Sequence, residues 1–204
     1  MSDMLYYYPN KPILIHPTSS LVLEKSNDPD WVSEIKKNGT RLCLRKAKEE
    51  ALKYKSYEGL TFWNRHKSVL KYEPSIELLE ELKKVKIPEG TQIDAELMHF
   101  KTKNIKHLIY VYDIYWFKNK TVTETFDVRR KMIEDIFCDQ YKHIELAKQY
   151  SDDFLNLYTD VTKKEENEGL VIKCKKGKIQ WNFKDCIEVW WQLKIRKQSN
   201  SYRF

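Results

Sequence analysis

The sequence contains no long apolar run and no targeting segment. No part of its 204 residues approaches the roughly 20 consecutive apolar residues that a membrane-spanning helix needs. The first residues, Met1 to Met4, lack the basic and apolar regions of a signal peptide. These absences argue against a membrane partner and predict a soluble, intracellular protein, in the cytoplasm or the nucleoid.

The four cysteines are scattered and form no metal-binding pattern. None belongs to a CxxC pair or a Cys/His cluster, which argues against a zinc site. Such scatter in a chain of this size also argues against a disulfide framework. We therefore predict four buried or half-buried free thiols, at Cys43, Cys138, Cys174 and Cys186.

What the sequence does contain is a packed-core composition and a localised positive charge. Hydrophobic residues make up 41% of the chain, which excludes a disordered protein. The net charge of +7 lies within residues 171–204, which carry nine Lys/Arg against two Asp/Glu, while the remainder is balanced at 28 against 28. Aromatic residues are interleaved there: Trp181, Trp190, Trp191 and Tyr202. This end is predicted to contact a polyanion, with a lysine-rich solvated face as the alternative.

Apolar and polar side chains alternate with period two in several short segments, which predicts strands. There are no internal repeats and no obvious linker, so we predict one domain over residues 1–204. The predicted strands are Thr40–Arg45, Leu60–Arg65, Gln92–Leu97, Leu108–Phe117, Gly169–Cys174, Ile179–Phe183 and Glu188–Ile195.

Three helices are predicted between these strands. One begins after a Ser75 N-cap, a second spans Asp127 to Phe137 with Asp127 as its cap, and a third spans Ser151 to Lys163 with a serine cap. Residues 5–17 are predicted to be irregular because of their prolines, and 46–55 to be a loop or hairpin tip. Many strands, mostly antiparallel, with flanking helices predict an α+β fold.

Lys36 lies three residues before Gly39, where a predicted strand begins. Glycine allows the backbone to pass close to a ligand. A lysine amine is a nucleophile only when neutral, which at pH 7 costs roughly 4–5 kcal/mol from a reference pKa of about 10.4. A nearby cation, a metal or burial can supply that shift. Alone, this short pattern is usually a solvent-facing turn.

The same lysine heads a series of six segments that occur in a characteristic order. They are Lys36–Arg41, Asn64–His66, Ile93–Leu97, Val111–Ile114, Glu168–Lys173 and Trp191–Arg196. In this order they resemble the motifs of covalent nucleotidyltransferases, specifically the adenylating domain of ATP-dependent polynucleotide ligases, over about residues 12–197. Several positions depart from the usual pattern. Asn38 is in place of aspartate, Ala95 in place of glycine, Tyr112 in place of phenylalanine and Arg196 in place of a second lysine, and Asn64-Arg65-His66 is where the family often has Ser-Arg-Asn.

The resemblance implies a role for each matching residue. Lys36 would be the catalytic nucleophile, Glu34 would read the adenine amino group, and Tyr112 would stack on adenine. Glu96 would hold a ribose hydroxyl or a metal, and Glu168 would hold a metal. The basic residues would contact the ribose or the phosphates, namely Arg41, Arg65, Lys173, Lys194 and Arg196.

The resemblance also implies a fold, cofactors and a reaction. The fold would be a nucleotidyltransferase (ATP-grasp-like) fold of antiparallel sheets flanked by helices, and the cofactors would be ATP and Mg²⁺. Lys36 would attack the α-phosphate to form lysyl-AMP, then pass AMP to a 5′-phosphate end, which a 3′-hydroxyl would seal. An OB-fold domain usually follows the last motif. Because only about eight residues follow Arg196 (204 − 196), we expect no C-terminal OB domain.

The favoured function is therefore a minimal, monomeric, ATP-dependent DNA ligase acting on nicked double-stranded DNA in repair or replication. A helper protein replacing the OB domain is an alternative arrangement. RNA ligases share the same motifs and remain a second possibility, whereas a capping guanylyltransferase fits the Glu168–Lys173 segment less well. A nucleic-acid-binding module with little or no turnover is an alternative of another class. Size and lysine richness suit a virus- or phage-encoded protein.

Overall fold

A computed structural model describes residues 6–197 of the chain. Twelve strands and five helices occur within these residues. The strands are β1 (Lys11–Leu14), β2 (Trp31–Lys37), β3 (Thr40–Lys46), β4 (Ser56–Tyr57), β5 (Leu60–Trp63), β6 (Thr91–Met98), β7 (Leu108–Phe117), β8 (Lys120–Thr121), β9 (Ile144–Leu146), β10 (Gln149–Tyr150), β11 (Asn167–Cys174) and β12 (Glu188–Arg196). The helices are α1 (Ser20–Ser26), α2 (Lys48–Lys53), α3 (Ile76–Lys84), α4 (Phe126–Ile136) and α5 (Phe154–Val161).

The strands form two sheets. The first sheet has five strands in the order β1-β12-β11-β2-β10, and the second has seven, with β4-β5-β3-β6-β7-β8 in order and β9 paired to β7. Pairing is antiparallel within residues 6–197 except for the pairs β1–β12 and β7–β9. The two sheets follow each other directly in the chain at Asn38-Gly39, where β2 ends and β3 begins. The α+β prediction is confirmed.

Helix α3 shows how local sequence and packing agree. The Ser75 side chain caps it by accepting the Leu78 backbone N–H at 3.3 Å, as predicted. Leu78 and Leu82 lie four residues apart, so they share one face, and that face is buried against the second sheet. The first sheet has its own apolar cluster, to which α1 and α5 contribute Val22 and Phe154.

The predicted strands 40–45, 60–65, 92–97, 108–117, 169–174 and 188–195 are present with small differences at their ends. The prediction for residues 179–183 was wrong, because no strand forms there. Residues 180 and 182 instead accept hydrogen bonds from the N-terminal part of the chain. Tyr8 N donates to Asn182 O at 3.3 Å, and the Asn10 side chain donates to Gln180 O at 2.8 Å.

The prediction that residues 5–17 are irregular was also wrong in part. Lys11–Leu14 is strand β1, which lies parallel to β12 at the edge of the first sheet. An edge position tolerates Pro12, whose missing N–H would break a central ladder. The predicted loop at 46–55 contains helix α2, and strand β2, which carries Lys36, was not predicted at all.

Two predicted helix starts were also wrong. Thr125 is the N-cap of α4, and Asp127 lies in its first turn. The N-cap of α5 is Asp153, in a left-handed conformation with φ 47°, and Ser151 lies outside the helix. In both cases several adjacent polar residues could act as the cap, and sequence does not say which one adopts the required backbone angles. Within residues 6–197, no helix is long and apolar enough to cross a membrane.

Candidate active site

Both sheets contribute to one cavity of about 430 Å³, a volume within the range of about 300–1,000 Å³ that is typical of small-molecule sites. All ten site residues predicted from the sequence line this cavity. They are Glu34, Lys36, Arg41, Arg65, Glu96, Tyr112, Glu168, Lys173, Lys194 and Arg196. Residues that are far apart in the chain are therefore brought to one place.

The alternation of side chains along each strand explains why these residues meet. Successive side chains of a strand point to opposite faces, so residues two apart share a face. The cavity is lined by Glu34 and Lys36 of β2, and by Lys194 and Arg196 of β12. Gly169 of β11 lies between Lys36 and Arg196 in the hydrogen-bonding register.

Gly169 is required at this position by its backbone. Its φ is +152°, and a Cβ placed there would lie 2.0 Å from the carbonyl oxygen of Ile195. Gly39 is also confined, since a Cβ there would lie 2.5 Å from Glu96 Cγ. The backbone at Gly39 therefore passes close to strand β6, which carries Glu96. Because neither glycine has a Cβ, the strands that carry Lys36, Glu96 and Glu168 can lie close together.

Lys36 forms an ion pair with Glu168, its neighbour across the first sheet. Each side chain is about a quarter exposed, so both can reach a ligand in the cavity. In this ion pair the amine carries its proton. Before the amine can attack an electrophile, it must lose this proton and separate from Glu168.

A second carboxylate, Glu96 of β6, lies on the opposite wall. It accepts a hydrogen bond from Tyr112 Oη at 2.5 Å. Burial raises the pKa of Glu96, and the charge of Lys36 opposes this rise. Glu96 and Glu168 are two of the acidic groups that line the cavity and could bind a cation.

Arg41 is held by a residue that the sequence analysis did not assign. Its guanidinium makes a two-point ion pair with Asp94, which also accepts from Tyr115 Oη at 3.1 Å. Burial raises the pKa of Asp94, and Arg41 opposes the rise. Asp94 belongs to the same predicted strand as Glu96, two residues earlier. The motif that predicted Glu96 also contains Asp94, and side chains two residues apart share a strand face, so the sequence could have indicated Asp94 as well.

Glu34 and Lys173 form a buried ion pair at one end of the cavity. The distance from Lys173 Nζ to Glu34 Oε2 is 2.6 Å, and the two side chains are 5% and 3% exposed. Burial raises the pKa of Glu34, and Lys173 opposes that effect. Lys173, which the resemblance linked to phosphate, thus contacts the carboxylate linked to the base.

The wall of the cavity formed by β1 and β12 is strongly basic. Burial lowers the pKa of Lys194 to about 8, and the charge of Lys11 is the next largest cause. Lys11 lies on β1 and pairs with Glu188 at 3.2 Å. It was missed because the strand that carries it was not predicted. Together with Arg196, these groups place several cations around Lys36.

Arg65 differs from the other nine residues because it is exposed, on the loop after β5. Its Nε donates to His66 Nε2 at 3.1 Å, and both residues line the rim of the cavity. The Sγ of Cys186 approaches the Arg65 carbonyl oxygen at 3.8 Å. Arg65 therefore lies where the cavity opens to solvent.

The basic end of the chain is divided between the cavity and the surface. Lys173, Lys194 and Arg196 line the cavity, and Lys176 pairs with Asp30. Trp191 is buried and Trp190 is exposed. Tyr202, part of the predicted polyanion-binding end, lies outside the described residues. All four cysteines are free, as predicted, and three are buried or half-buried; the prediction of burial was wrong for Cys138, which is exposed.

No group of three or more His, Cys, Asp or Glu side chains among residues 6–197 is arranged to bind a metal. Mg²⁺ is commonly held by one or two carboxylates together with substrate phosphates. The pair Glu96 and Glu168 fits that mode, because both line the same cavity beside cationic groups that suit phosphate.

No protein-family model matches the sequence, and no curated protein sequence matches it either. Solved structures do match. Mycobacterial DNA ligase D complexed with ATP and MES aligns with a TM-score of 0.62 and 13% identity, covering 92% of this chain and 60% of that one. A Lig E DNA ligase, studied for DNA binding with a minimal scaffold, aligns with a TM-score of 0.55 and 12% identity over 92% of this chain and 69% of its own.

A third structure, named Pmar-Lig_Pre., aligns with a TM-score of 0.59 and 16% identity, covering 94% of this chain. This chain spans 47% of that structure, about half its length. At these identities the likeness concerns the fold. The chain has the nucleotidyltransferase fold of the DNA ligase structures it matches.

Proposed function

We propose that this chain is an adenylating domain, spanning residues 1–204, of an ATP-dependent DNA ligase. It would seal nicks through a lysyl-AMP intermediate at Lys36. The observation that carries the proposal is the meeting of all ten predicted site residues, from Glu34 to Arg196 in the chain, in one cavity. The fold shared with DNA ligase structures supports it independently.

ATP would bind with its base at the Glu34 end and its phosphates at the Lys36 end of the cavity. Tyr112 offers an aromatic face for the base, and its hydroxyl is already fixed by Glu96 at 2.5 Å. Lys194 and Arg196 lie on β12, which is separated from the Lys36 strand β2 only by β11, and they would supply positive charge to phosphate oxygens. The mycobacterial ligase structure with a similar fold contains ATP, which supports the same nucleotide here.

In the first step, Lys36 Nζ attacks the α-phosphorus of ATP. A nitrogen–phosphorus bond forms, the phosphorus–oxygen bond to pyrophosphate breaks, and the amine loses a proton. Glu168, which pairs with Lys36, must first release the amine so that it can lose this proton. Glu96 and Glu168 would hold Mg²⁺, which when bound supplies charge neutralisation to the triphosphate. AMP then passes from Lys36 to a 5′-phosphate end. A 3′-hydroxyl attacks that 5′-phosphate, AMP leaves, and the strand is sealed.

Two loops support nucleic acid as the second substrate. Residues 64–71 and 99–107 contain no Asp or Glu and supply six Lys/Arg side chains: Arg65, Lys67, Lys71, Lys101, Lys103 and Lys106. The ring of Tyr72, the residue after the first loop, lies 5.0 Å from the ring of His99 in the second loop. Arg65 and Lys101 reach the rim of the cavity, so a polyanion on these loops would approach Lys36.

The test is covalent labelling. The protein is incubated with Mg²⁺ and α-labelled ATP, then separated on a denaturing gel. We expect a labelled band that is lost in Lys36→Ala and retained in Lys84→Ala, a control at an exposed position of α3. Absence of label in the unmodified protein, or its persistence in Lys36→Ala, would reject lysyl-AMP. Sealing of nicked DNA against nicked RNA then identifies the polynucleotide.

A further inference from the structure

We propose that the rings of Trp181 and Phe183 form a stacking surface for an unpaired base of a nucleic acid strand. Both residues lie outside the described lining of the nucleotide cavity. The inference therefore goes beyond the proposed function and does not require Lys36 to form lysyl-AMP. The ligand is defined by its chemistry, as a base without a pairing partner on a strand of negatively charged phosphates, in DNA or in RNA.

The two rings belong to an aromatic series that extends from the core to the surface. Tyr7 and Tyr115 are fully buried with ring centroids 5.0 Å apart, and Trp181 packs on Tyr7 at 4.2 Å. Phe183 is 48% exposed, and its ring lies at 21° and 6.4 Å from that of Trp181. A single exposed apolar side chain is ordinary on a protein surface. Phe183 differs because a packed aromatic series supports it.

Hydrogen bonds to the N-terminal part of the chain hold the backbone that carries these rings. Asn10 Nδ2 donates to Gln180 O at 2.8 Å, and Gln180 N donates to Asn10 Oδ1 at 3.1 Å. Tyr8 N donates to Asn182 O at 3.3 Å. The Asn182 side chain accepts from Lys184 N at 2.9 Å, which fixes the next turn of the chain. A surface that is ordered before binding loses less conformational entropy when its ligand binds.

The surroundings of the rings are basic. Residues 175–187 carry four lysines and one acidic residue, Asp185. Lys178 and Lys184 are exposed, so their charges can reach phosphate groups. Aromatic rings beside positive charge are the combination by which proteins bind single strands without sequence preference, because every base has a face that can stack. Charge complementarity therefore favours a polyanion that carries bases over an apolar protein surface.

The rings also adjoin the surface proposed for the polynucleotide. Cys186 Sγ approaches the Arg65 carbonyl oxygen at 3.8 Å, and both residues line the cavity. Arg65 belongs to the basic loop 64–71. A strand that contacts this loop can therefore place a base on Phe183 while its phosphates follow the lysines. Internal bases of a duplex are stacked on one another, so the free face belongs to an unpaired base, as at a frayed or overhanging strand end.

The experiment measures the fluorescence anisotropy of two labelled strands that have the same number of phosphates. One is a thymidine oligonucleotide, and the other is an abasic strand that keeps the sugars and phosphates and lacks the bases. The quantity compared is the ratio of the dissociation constants of the abasic and thymidine strands. Contacts to phosphate act on both strands and cancel in this ratio. A uridine strand repeats the measurement for RNA.

We expect the unmodified protein to bind the thymidine strand about fivefold or more tightly than the abasic strand, because only the former can stack. Phe183→Ala should bring the ratio close to unity. Phe183→Trp should keep the ratio because it keeps an aromatic face, whereas Phe183→Leu keeps only apolar volume and should lower it. The matched control is Leu155→Ala on α5, since Leu155 is 49% exposed, and this variant should leave the ratio unchanged.

The salt dependence separates stacking from charge. Phe183→Ala removes no charge, so the slope of log affinity against log salt should not change. Lys184→Ser should reduce that slope by about 0.7 if this lysine contacts one phosphate, and it should leave the ratio unchanged. If Phe183→Ala lowers the melting temperature, Phe183→Leu retains most of the side-chain volume and replaces it in the comparison.

Dependence of the ratio on Phe183 with either the thymidine or the uridine strand would support the inference. An unchanged ratio in Phe183→Ala with both strands would mean that the aromatic surface has another occupant, and would overturn it. Equal weakening of base-bearing and abasic strands in the folded Phe183→Leu protein would also overturn it, because stacking requires a base. Absence of lysyl-AMP in the unmodified protein would reject the proposed function, and the binding ratio would still test this inference.

Discussion

The lowered pKa of Lys194 predicts that nucleotide binding weakens as the solution becomes alkaline. The ordinary value is 10.5, and burial with the neighbouring charge of Lys11 lowers it to about 8. A lysine carries its charge below its pKa and loses it above, so Lys194 attracts phosphate only at the lower pH. Glu188 opposes the shift, while Lys36 and Arg196 reinforce it.

The magnitude follows from the charged fraction. With a pKa of about 8, Lys194 is about 90% charged at pH 7 and about 10% charged at pH 9. If ATP binds only the charged form, the apparent dissociation constant increases by the inverse of that fraction, which is about tenfold between these pH values. An ordinary exposed lysine would change little over the same range.

The assay is equilibrium binding of labelled ATP to Lys36→Arg, which keeps the cation at that position and removes the nucleophile. We expect affinity to decrease about tenfold between pH 7 and pH 9. The matched variant Lys36→Arg/Lys194→Met should bind weakly at pH 7 and show little further decrease. A flat profile in Lys36→Arg, or the same slope in both variants, would refute the assignment of Lys194 to phosphate binding.

Three further changes test other parts of the structure. Gly169→Ala should lower stability by about 1–3 kcal/mol in urea unfolding and reduce lysyl-AMP formation, because its φ and the Ile195 carbonyl leave no room for a Cβ. Substitution of Lys67 and Lys103 by serine should weaken nicked-DNA binding and reduce the slope of log affinity against log salt by about 1.8 if each contacts one phosphate. Arg129→Met should destabilise the fold by about 3–5 kcal/mol, since it leaves Asp113 buried and unpaired.

Each change has a control. Serine at Lys83 and Lys84, which are exposed on α3, should leave the salt slope unchanged, and an equal effect of the two pairs would contradict a specific surface on the loops. The exposed pair Lys163–Asp160 should contribute under about 1 kcal/mol, so Lys163→Met should resemble the unmodified protein in unfolding. Unimpaired stability in Gly169→Ala would contradict the stated backbone constraint.

The sequence predicted the strands best where their patterns were long and uninterrupted. Residues 108–117 are almost all apolar, and β7 has these bounds in the structure. Short elements with mixed composition were missed, such as β1 with its proline and α2 with its charged residues. These elements exist because neighbouring parts of the chain pair with them or pack against them, and local patterns do not carry that information.

The same distinction holds within the cavity. Lys36, Glu96 and Lys194 were predicted from motifs that resemble those of the ligase family, because the order of motifs along the chain is a property of the sequence. Asp94 and Lys11 were not identified, although both line the cavity. Their importance depends on residues of neighbouring strands. Asp94 of β6 pairs with Arg41 of the adjacent strand β3, and Lys11 approaches Lys194 only because β1 lies beside β12.

The sequence by itself predicted the candidate site residues, through motifs that resemble those of the ligase family, and it predicted which side chains share a strand face, because alternation is a local property of an extended backbone. Only the tertiary structure decided their partners. Lys36 pairs with Glu168 across 132 positions of the chain, and Lys173 pairs with Glu34 rather than remaining free for phosphate. Strand order and register set these contacts, and both depend on the packing of the whole chain.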